Sequence, residues 1–440
     1  MSANLKPIVY FAIMAALLAL VGFGQSWSVA LSILNLCLVS AIMSLGVNMQ
    51  WGYAGLFNVG VMGFAALGGM AAILVAKPPV PAAWAAGGWS IIAALLTVLA
   101  TAAVLWFLYR RMTKGLLRTL AFIAAVLIGL IVFRGFLDPA VKAIEAVDPS
   151  RTGYLGGLGL PILLAWPIGG LFAAGAAWIV GKVALGLRSD YLAIATLGIA
   201  EITIAILKNE DWLTRGVKNV TGLPRPVPYE VNLAQSPWLI DLADRYGMSA
   251  DLAASLAVKL CYTGLFVVVL VIVMVLAERA LNSPWGRMMR AIRDNEEAAE
   301  AMGKDVTRRH LQIFIVGSAV VGIAGAMLTT LDGQFTPTTY QPLRYTFLIW
   351  VMVIVGGSGN NWGAVLGGFL IWFVWIEAEP AGAWLMQALT SPLPEGNWLR
   401  EHLLAGAPHM RMIFMGAILL TVMRFSPQGL IPERTARRLG

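Results

Sequence analysis

Apolar runs of about 20 residues recur along the whole chain, separated by short polar breaks. They fall at 8–23, 28–47, 53–76, 89–109, 116–136, 161–185, 190–208, 256–278, 310–330, 344–358, 363–378 and 409–424. Each has roughly the length a helix needs to cross a hydrocarbon layer. The pattern therefore predicts an all-α polytopic transmembrane helix bundle of about 10–12 spans, built as a single domain over residues 1–440. Three polar stretches interrupt it: 209–255, 281–309 and 379–408.

Composition supports this reading. Of the 440 residues 59% are hydrophobic and 12% charged, with a mean hydropathy of +0.78, whereas a soluble domain carries about a quarter charged residues. The net charge of +8 matters less than where the cations lie. Alternating the spans gathers Lys6, the 110–118 loop, Lys182, Arg188, the 279–309 loop and the tail from Arg424 on one side. The positive-inside rule makes that side cytoplasmic, with both termini, and makes 209–255 an outside loop. The 8–23 run reads as a retained first helix; Ser28-Val29-Ala30 is a weak match to a signal-peptide cleavage site. Cys37 and Cys261 lie in apolar runs and read as small buried hydrophobes, not a disulfide framework. His310, His402 and His409 have no ligand spacing with Cys or paired carboxylates, so no metal site is expected. No phosphate-binding GxxxxGK[ST] and no nucleophile–base constellation occurs.

The charged segment RMMRAIRDNEEAAEAMG (287–303) stands out between long apolar runs. Ser283-Pro284 is a helix start and Gly303 a helix stop. Between them Trp285, Met289, Ile292, Ala299 and Met302 form one apolar stripe, and Arg290 with Asp294 and Arg293 with Glu297 are spaced four apart to pair. This predicts one continuous 284–303 helix, either a rigid knob between subunits or an amphipathic helix on lipid headgroups. Two further stretches carry candidate translocation-path residues. GYAGLFNVGVMGFAALGG (52–69) is glycine-broken and holds Tyr53, Gly55, Asn58 and Gly60; glycines here permit either close packing or a helix break. Residues 188–206 hold Thr196 and Glu201, and a carboxylate at mid-membrane costs about 2.5–3.5 kcal/mol, so Glu201 should face water or protein, with Lys208, Lys259 or a backbone group as partner. Gly363 and Gly367 form a GxxxG packing face.

Glu297, Ala298, Ala299 and Gly303 spell E-A-A-x-x-x-G, which resembles the cytoplasmic coupling loop of bacterial ABC-importer permeases. Five stretches in order resemble the LivM-type permease of branched-chain amino-acid ABC importers: GYAGLFNVG (52–60), LRSDYLAIATLGIAEI (187–202), the EAA segment, VGGSGNNWGAVLGG (355–368) and SPQGLIPER (426–434). The resemblance implies a permease subunit in a bacterial inner membrane. It implies an ATPase-coupling role for Arg290, Arg293, Glu297, Ala298, Ala299 and Gly303 within the 281–309 loop. It also implies a second, LivH-like permease, two cytoplasmic ATPases that use ATP and Mg, and a periplasmic substrate-binding protein, with no cofactor bound by this chain. There are departures. Arg215, Val217 and Asn219 stand where the family commonly has Gly, Pro and Gly; Leu56 and Val61 replace common Gln and His; and 110–155 reads as an insertion. They leave urea or short amides as an alternative cargo. An ion-coupled secondary transporter is the alternative mechanism, with Glu201 and Glu377 as its candidate acids; a membrane-embedded enzyme would need a clustered acid, His or metal constellation.

Overall fold

A computed structural model describes residues 5–149, 152–394 and 396–433. The bundle helices, in chain order, are α1 (Leu5–Gly24), α2 (Trp27–Ala54), α3 (Val61–Ala76), α4 (Pro81–Arg111), α5 (Leu116–Glu145), α6 (Ile162–Ala184), α7 (Ser189–Asn209) and α8 (Ala250–Asn282). They continue with α9 (Pro284–Asp294), α10 (Glu296–Ala301), α11 (Val306–Asp332), α12 (Pro342–Gly356), α13 (Asn361–Thr390), α14 (Trp398–Ala405) and α15 (Ala407–Phe425). Among the described residues nine helices are long and apolar enough to cross a membrane, and the pair α14–α15, bent by 41°, makes a tenth. The fold is the all-α polytopic bundle expected from the sequence. The sole sheet among the described residues pairs β1 (Val220–Thr221) with β2 (Gln334–Phe335), Val220 opposite Phe335.

Local chemistry sets the helix ends. Ser26 accepts from the Val29 amide and opens α2, Asp305 accepts from Arg308 and opens α11, and Asn360 accepts from Trp362 and Gly363 and opens α13. Successive long helices run alternately between two ends of the molecule. At one end lie Gly52, Arg293, Gly359 and Glu433; at the other the 155–160 loop pairs with the end of α3, and β1 with β2. Phe11 in the first half of α1 packs edge-on to Trp362 at the start of α13, and Gln25 after α1 bonds Glu377 near its middle.

The core is where α2, α3, α6 and α11 cross. A Cβ on Gly68 would land on the Gly322 carbonyl, and one on Gly325 on the Ala65 carbonyl, so backbones touch there and only hydrogen fits. Gly363 and Gly367 likewise pack against Gly356 and Met352 of α12, as the GxxxG spacing predicted.

Several expectations are corrected. The 53–76 run is not one helix: α2 reaches Ala54, residues 55–60 are non-helical, and α3 begins at Val61. With 16 and 15 residues, α3 and α12 are about 24 and 22 Å long, short of a ~30 Å hydrocarbon layer. The 379–408 segment is about two-thirds helical, because α13 continues through Pro380 to Thr390 and α14 starts at Trp398. The 209–255 stretch folds into short helices, including Pro237–Arg245, which buries Leu239 and Ala243. Cys37 is buried but Cys261 is exposed, on the outward face of α8. Arg215 and Asn219 hold φ of 57° and 58°: the chain keeps a left-handed backbone at the two positions where glycine would be at ease. Asn219, with ψ of 153° and a buried Oδ1 lacking a hydrogen bond, is the more strained.

Candidate functional site

The break between α2 and α3 is a built joint. Gly55, at φ +71°, ends α2, with its own amide on the Trp51 carbonyl and the Leu56 amide on that of Gln50. The chain then turns at Asn58, which is 1% exposed. The Asn58 side-chain amide donates to Gln50 Oε1 (2.9 Å), its Oδ1 accepts from the Gly60 amide (2.9 Å), and its carbonyl accepts from Trp350 Nε1 (3.0 Å). Gln50 in turn donates to the Phe314 carbonyl and Ser318 Oγ on α11, at 2.9 and 3.0 Å. The Val59 amide donates to Thr196 Oγ1 on α7 (3.0 Å). Asn58 is therefore fully engaged by protein and holds the joint in shape, the expected behaviour of an amide in low dielectric.

A second set of amides runs beside it. Asn48 donates to Asn361 Oδ1 (3.1 Å) and accepts from the Gly359 amide (2.9 Å), while Asn361 donates to Glu278 Oε1 on α8 (3.1 Å). These two sets tie α2, α7, α8, α11, α12 and α13 together around one break.

The charged segment docks on this joint. It is two helices, not the single 284–303 helix expected, because Asn295 adopts φ −158° and ψ 99° and caps α10 by accepting from the Ala298 amide. Ser283 and Pro284 start α9 as expected, and Met289 and Ile292 are buried. Met302 does not join the apolar stripe but is 79% exposed, since the break at Asn295 rotates α10 out of phase.

The arginine pairings also differ from the i,i+4 expectation. Arg293 donates to the Gly52 carbonyl, one turn before the joint, and pairs with Glu433 Oε2 (3.0 Å) and Asp294 Oδ1 (3.0 Å). Burial alone would lower the Arg293 pKa; the hydrogen bond and charge of Glu433, then those of Asp294, raise it instead. Arg290 donates to the Leu281 carbonyl (3.2 Å) and lies over the Tyr53 ring, 5.9 Å from its centre. Tertiary acceptors beat the local acids because they are presented by fixed backbone and by a strapped tail. The Leu430 and Ile431 amides donate to the Val355 and Gly356 carbonyls (both 2.9 Å), and the Asn360 side chain holds the Pro432 carbonyl.

The six coupling candidates thus divide. Arg290 and Arg293 face inward to the joint. Glu297, Ala298 and Gly303 are exposed, Ala299 is partly buried, and Gly303 stops the segment at φ +77°. Of the path candidates, Tyr53, Gly55, Asn58, Gly60 and Thr196 meet at the joint; Glu201 lies further along α7, exposed, with no ion pair among the described residues. Lys259, one of its expected partners, instead bonds Ser28. A crevice between α3, α6 and α7 is lined by Gly60, Phe64, Val180, Thr196, Ala200 and Thr203. Asn48, Gln50, Glu278 and Glu433 were not singled out from the sequence. A pair of amides two residues apart in an apolar run was the available signal for the first two.

A family model described as "Branched-chain amino acid transport system / permease component" matches residues 124–423. The chain is 26% identical to the high-affinity branched-chain amino acid transport system permease protein LivM of Escherichia coli (strain K12), over 62% of this chain and 58% of that protein. It is 28% identical to the probable LivM of Methanocaldococcus jannaschii, over 64% and 70%, and 25% identical to the E. coli xylose transport system permease protein XylH, over 60% and 57%. The match thus spans less than two thirds of the enterobacterial LivM. No solved structure matches significantly. The match over residues 124–423, more than half of the chain, shows that this all-α bundle belongs to the branched-chain amino acid transport permease family.

Proposed function

We propose that this chain is the permease subunit of an ATP-driven importer for branched-chain or other hydrophobic amino acids. It would work with a LivH-like second permease, two cytoplasmic ATPases that consume ATP and Mg, and a periplasmic binding protein. The observation that carries this reading is mechanical: the exposed EAA helix α10 follows directly, across the single residue Asn295, on α9, whose Arg293 clamps the joint between α2 and α3. A push on α10 reaches Gly52 through Arg293, and from there the amide sets that hold six helices. The cytoplasmic placement of α10 and of both termini, in a multi-pass protein of a bacterial inner membrane, rests on the basic residues gathered at that end.

The path is assigned to the α3–α7 crevice. Thr196 and Thr203 give that crevice its polar atoms; Glu201 lies outside it on the exposed face of α7, where a water-lined gap against the second permease would remove the cost of a lone carboxylate facing lipid. The departures at Leu56, Val61, Arg215 and Asn219 keep urea and short amides as the second cargo reading. An ion-coupled mechanism finds less support: Glu377 is engaged by Gln25, and Glu201 stands alone.

Uptake of labelled leucine and urea by cells expressing the full transport system tests the assignment. Glu297→Lys and Gly303→Asp should abolish leucine uptake while the protein still inserts. Dependence of urea uptake alone moves the cargo to the second reading. Normal uptake by both variants at normal expression removes the coupling assignment.

A further inference from the structure

The α4–α5 hairpin stands apart from the bundle. Its helices pack along each other, with Gly129 against Thr101. The bundle grips it at one end, where Ala83, Ile91, Ala140 and Ile144 cluster with Leu155 and Trp212. Beyond that grip its apolar surface is open on all sides: Leu96, Leu99, Ile128 and Ile131 are 58–71% exposed. None of the most apolar 18-residue window of α5 is buried, and 11% of that of α4. A helix apolar all round is a membrane span, and among the described residues no other helix of this chain covers the outer sides of the shaft, which leaves them open to acyl chains.

The free tip has a different chemistry. Arg110, Arg111, Lys114 and Arg118 crowd into 110–118. Arg110 lies 4.2 Å over the Trp106 ring, Arg111 5.8 Å over Phe107, and Arg118 5.3 Å over Tyr109 and 5.9 Å over Phe122. Arg118 also donates to the Met112 carbonyl at 3.5 Å. The first acidic residue of the whole chain is Asp138, on the far half of the hairpin, where it pairs with Arg134. Among the described residues none of the four tip cations is in an ion pair. Trp106, Phe107 and Tyr109 are more than half exposed, as rings are at the headgroup level.

We propose that the α4–α5 hairpin is a lipid-binding arm, with Arg110, Arg111, Lys114 and Arg118 seating the phosphate of anionic phospholipids. The rings hold the cations at the depth of the headgroup, and the apolar shaft lies among the acyl chains. The assignment is independent of the cargo and of the coupling mechanism.

Native mass spectrometry of the purified full chain, titrated with phosphatidylglycerol and phosphatidylcholine of identical acyl chains, tests it. The wild type should retain phosphatidylglycerol in preference. Arg118→Gln should cut that preference about fivefold, the scale of one cation at an anionic surface. The quadruple Arg110→Gln/Arg111→Gln/Lys114→Gln/Arg118→Gln variant, with an unchanged melting temperature, should bring it near parity. Arg308→Gln, an exposed cation elsewhere at the same end, should leave it unchanged. Equal retention of the two lipids by the wild type, or a preference that survives the quadruple variant, overturns the proposal. So does an equal loss in Arg308→Gln, which reports bulk charge. Loss of a co-purifying protein with lipid preference intact assigns the tip to a protein partner instead.

Discussion

On α9 Arg293 is three-quarters buried and is answered by the Gly52 carbonyl, Glu433 and Asp294. At the hairpin tip, at the same end of the molecule, Arg110, Arg111 and Lys114 are exposed and meet rings and solvent but no carboxylate. Both regions are basic, and both lie at the same end of the molecule. What separates them is who supplies the counter-charge. Where the protein supplies it, the arginine is a fixed strut between a surface helix and the core. Where the protein withholds it, the charge is left for the surroundings, and the local fold does not depend on it. Net charge along a sequence cannot make this distinction; the location of the acceptors does.

The contrast is sharpened by substitutions of decreasing weight. Gln50→Leu strands the Asn58 amide, Ser318 Oγ and the Phe314 carbonyl in the interior and should cost about 2–4 kcal/mol, read as a lower melting temperature of the purified chain. A change under about 1 kcal/mol would mean that the joint is not held by these bonds. Arg293→Ala leaves Glu433 without its cation and the Gly52 carbonyl unmet. A loss of about 2–3 kcal/mol is expected, with uptake falling further than stability explains. Glu433→Gln keeps a hydrogen-bond acceptor for Arg293 and removes the charge. It should cost about 1 kcal/mol and lower the amino acid taken up per ATP hydrolysed, and an unchanged ratio would detach the tail from coupling. Arg110→Gln should shift stability by less than about 0.5 kcal/mol. A larger loss in thermal unfolding would show that the tip is internally braced and would erase the comparison.

Much of the bundle was legible because long apolar runs have one physical outcome in a membrane. The start of α9 was legible too, through Ser283-Pro284. The break at 55–60 was not, since GYAGLFNVG is apolar enough to continue a helix. Its glycines announce either packing or a break, and the choice was made by Trp350 and Thr196 on two other helices and by Gln50 at the end of α2, which hold the non-helical turn. The split of α9 from α10 had a local signal in Asn295 followed by Glu296 and Glu297, a good cap for a new helix, but periodicity carried the reading past it. Arg293 was assigned to Glu297 by spacing, while its real partner is 140 residues later, in a tail whose register is fixed by α12. At Arg215 and Asn219 the sequence departs from the glycine-rich family pattern, yet the backbone stays left-handed there. The surrounding packing sets that conformation, and the side chains endure it.

The sequence by itself determined the class of molecule, most of its crossing segments, where its charges cluster and, through five stretches taken together, the family it resembles. These follow from hydrophobic free energy and charge placement, which are summed locally along the chain. Only the tertiary structure decided that α2 ends at Gly55, that Asn58 is a fully satisfied anchor, that Arg293 is a strut to Glu433, and that the 110–118 cations form no ion pair among the described residues. Each of those depends on hydrogen-bond acceptors brought together from segments far apart in the chain, and no local pattern encodes the geometry of such a meeting.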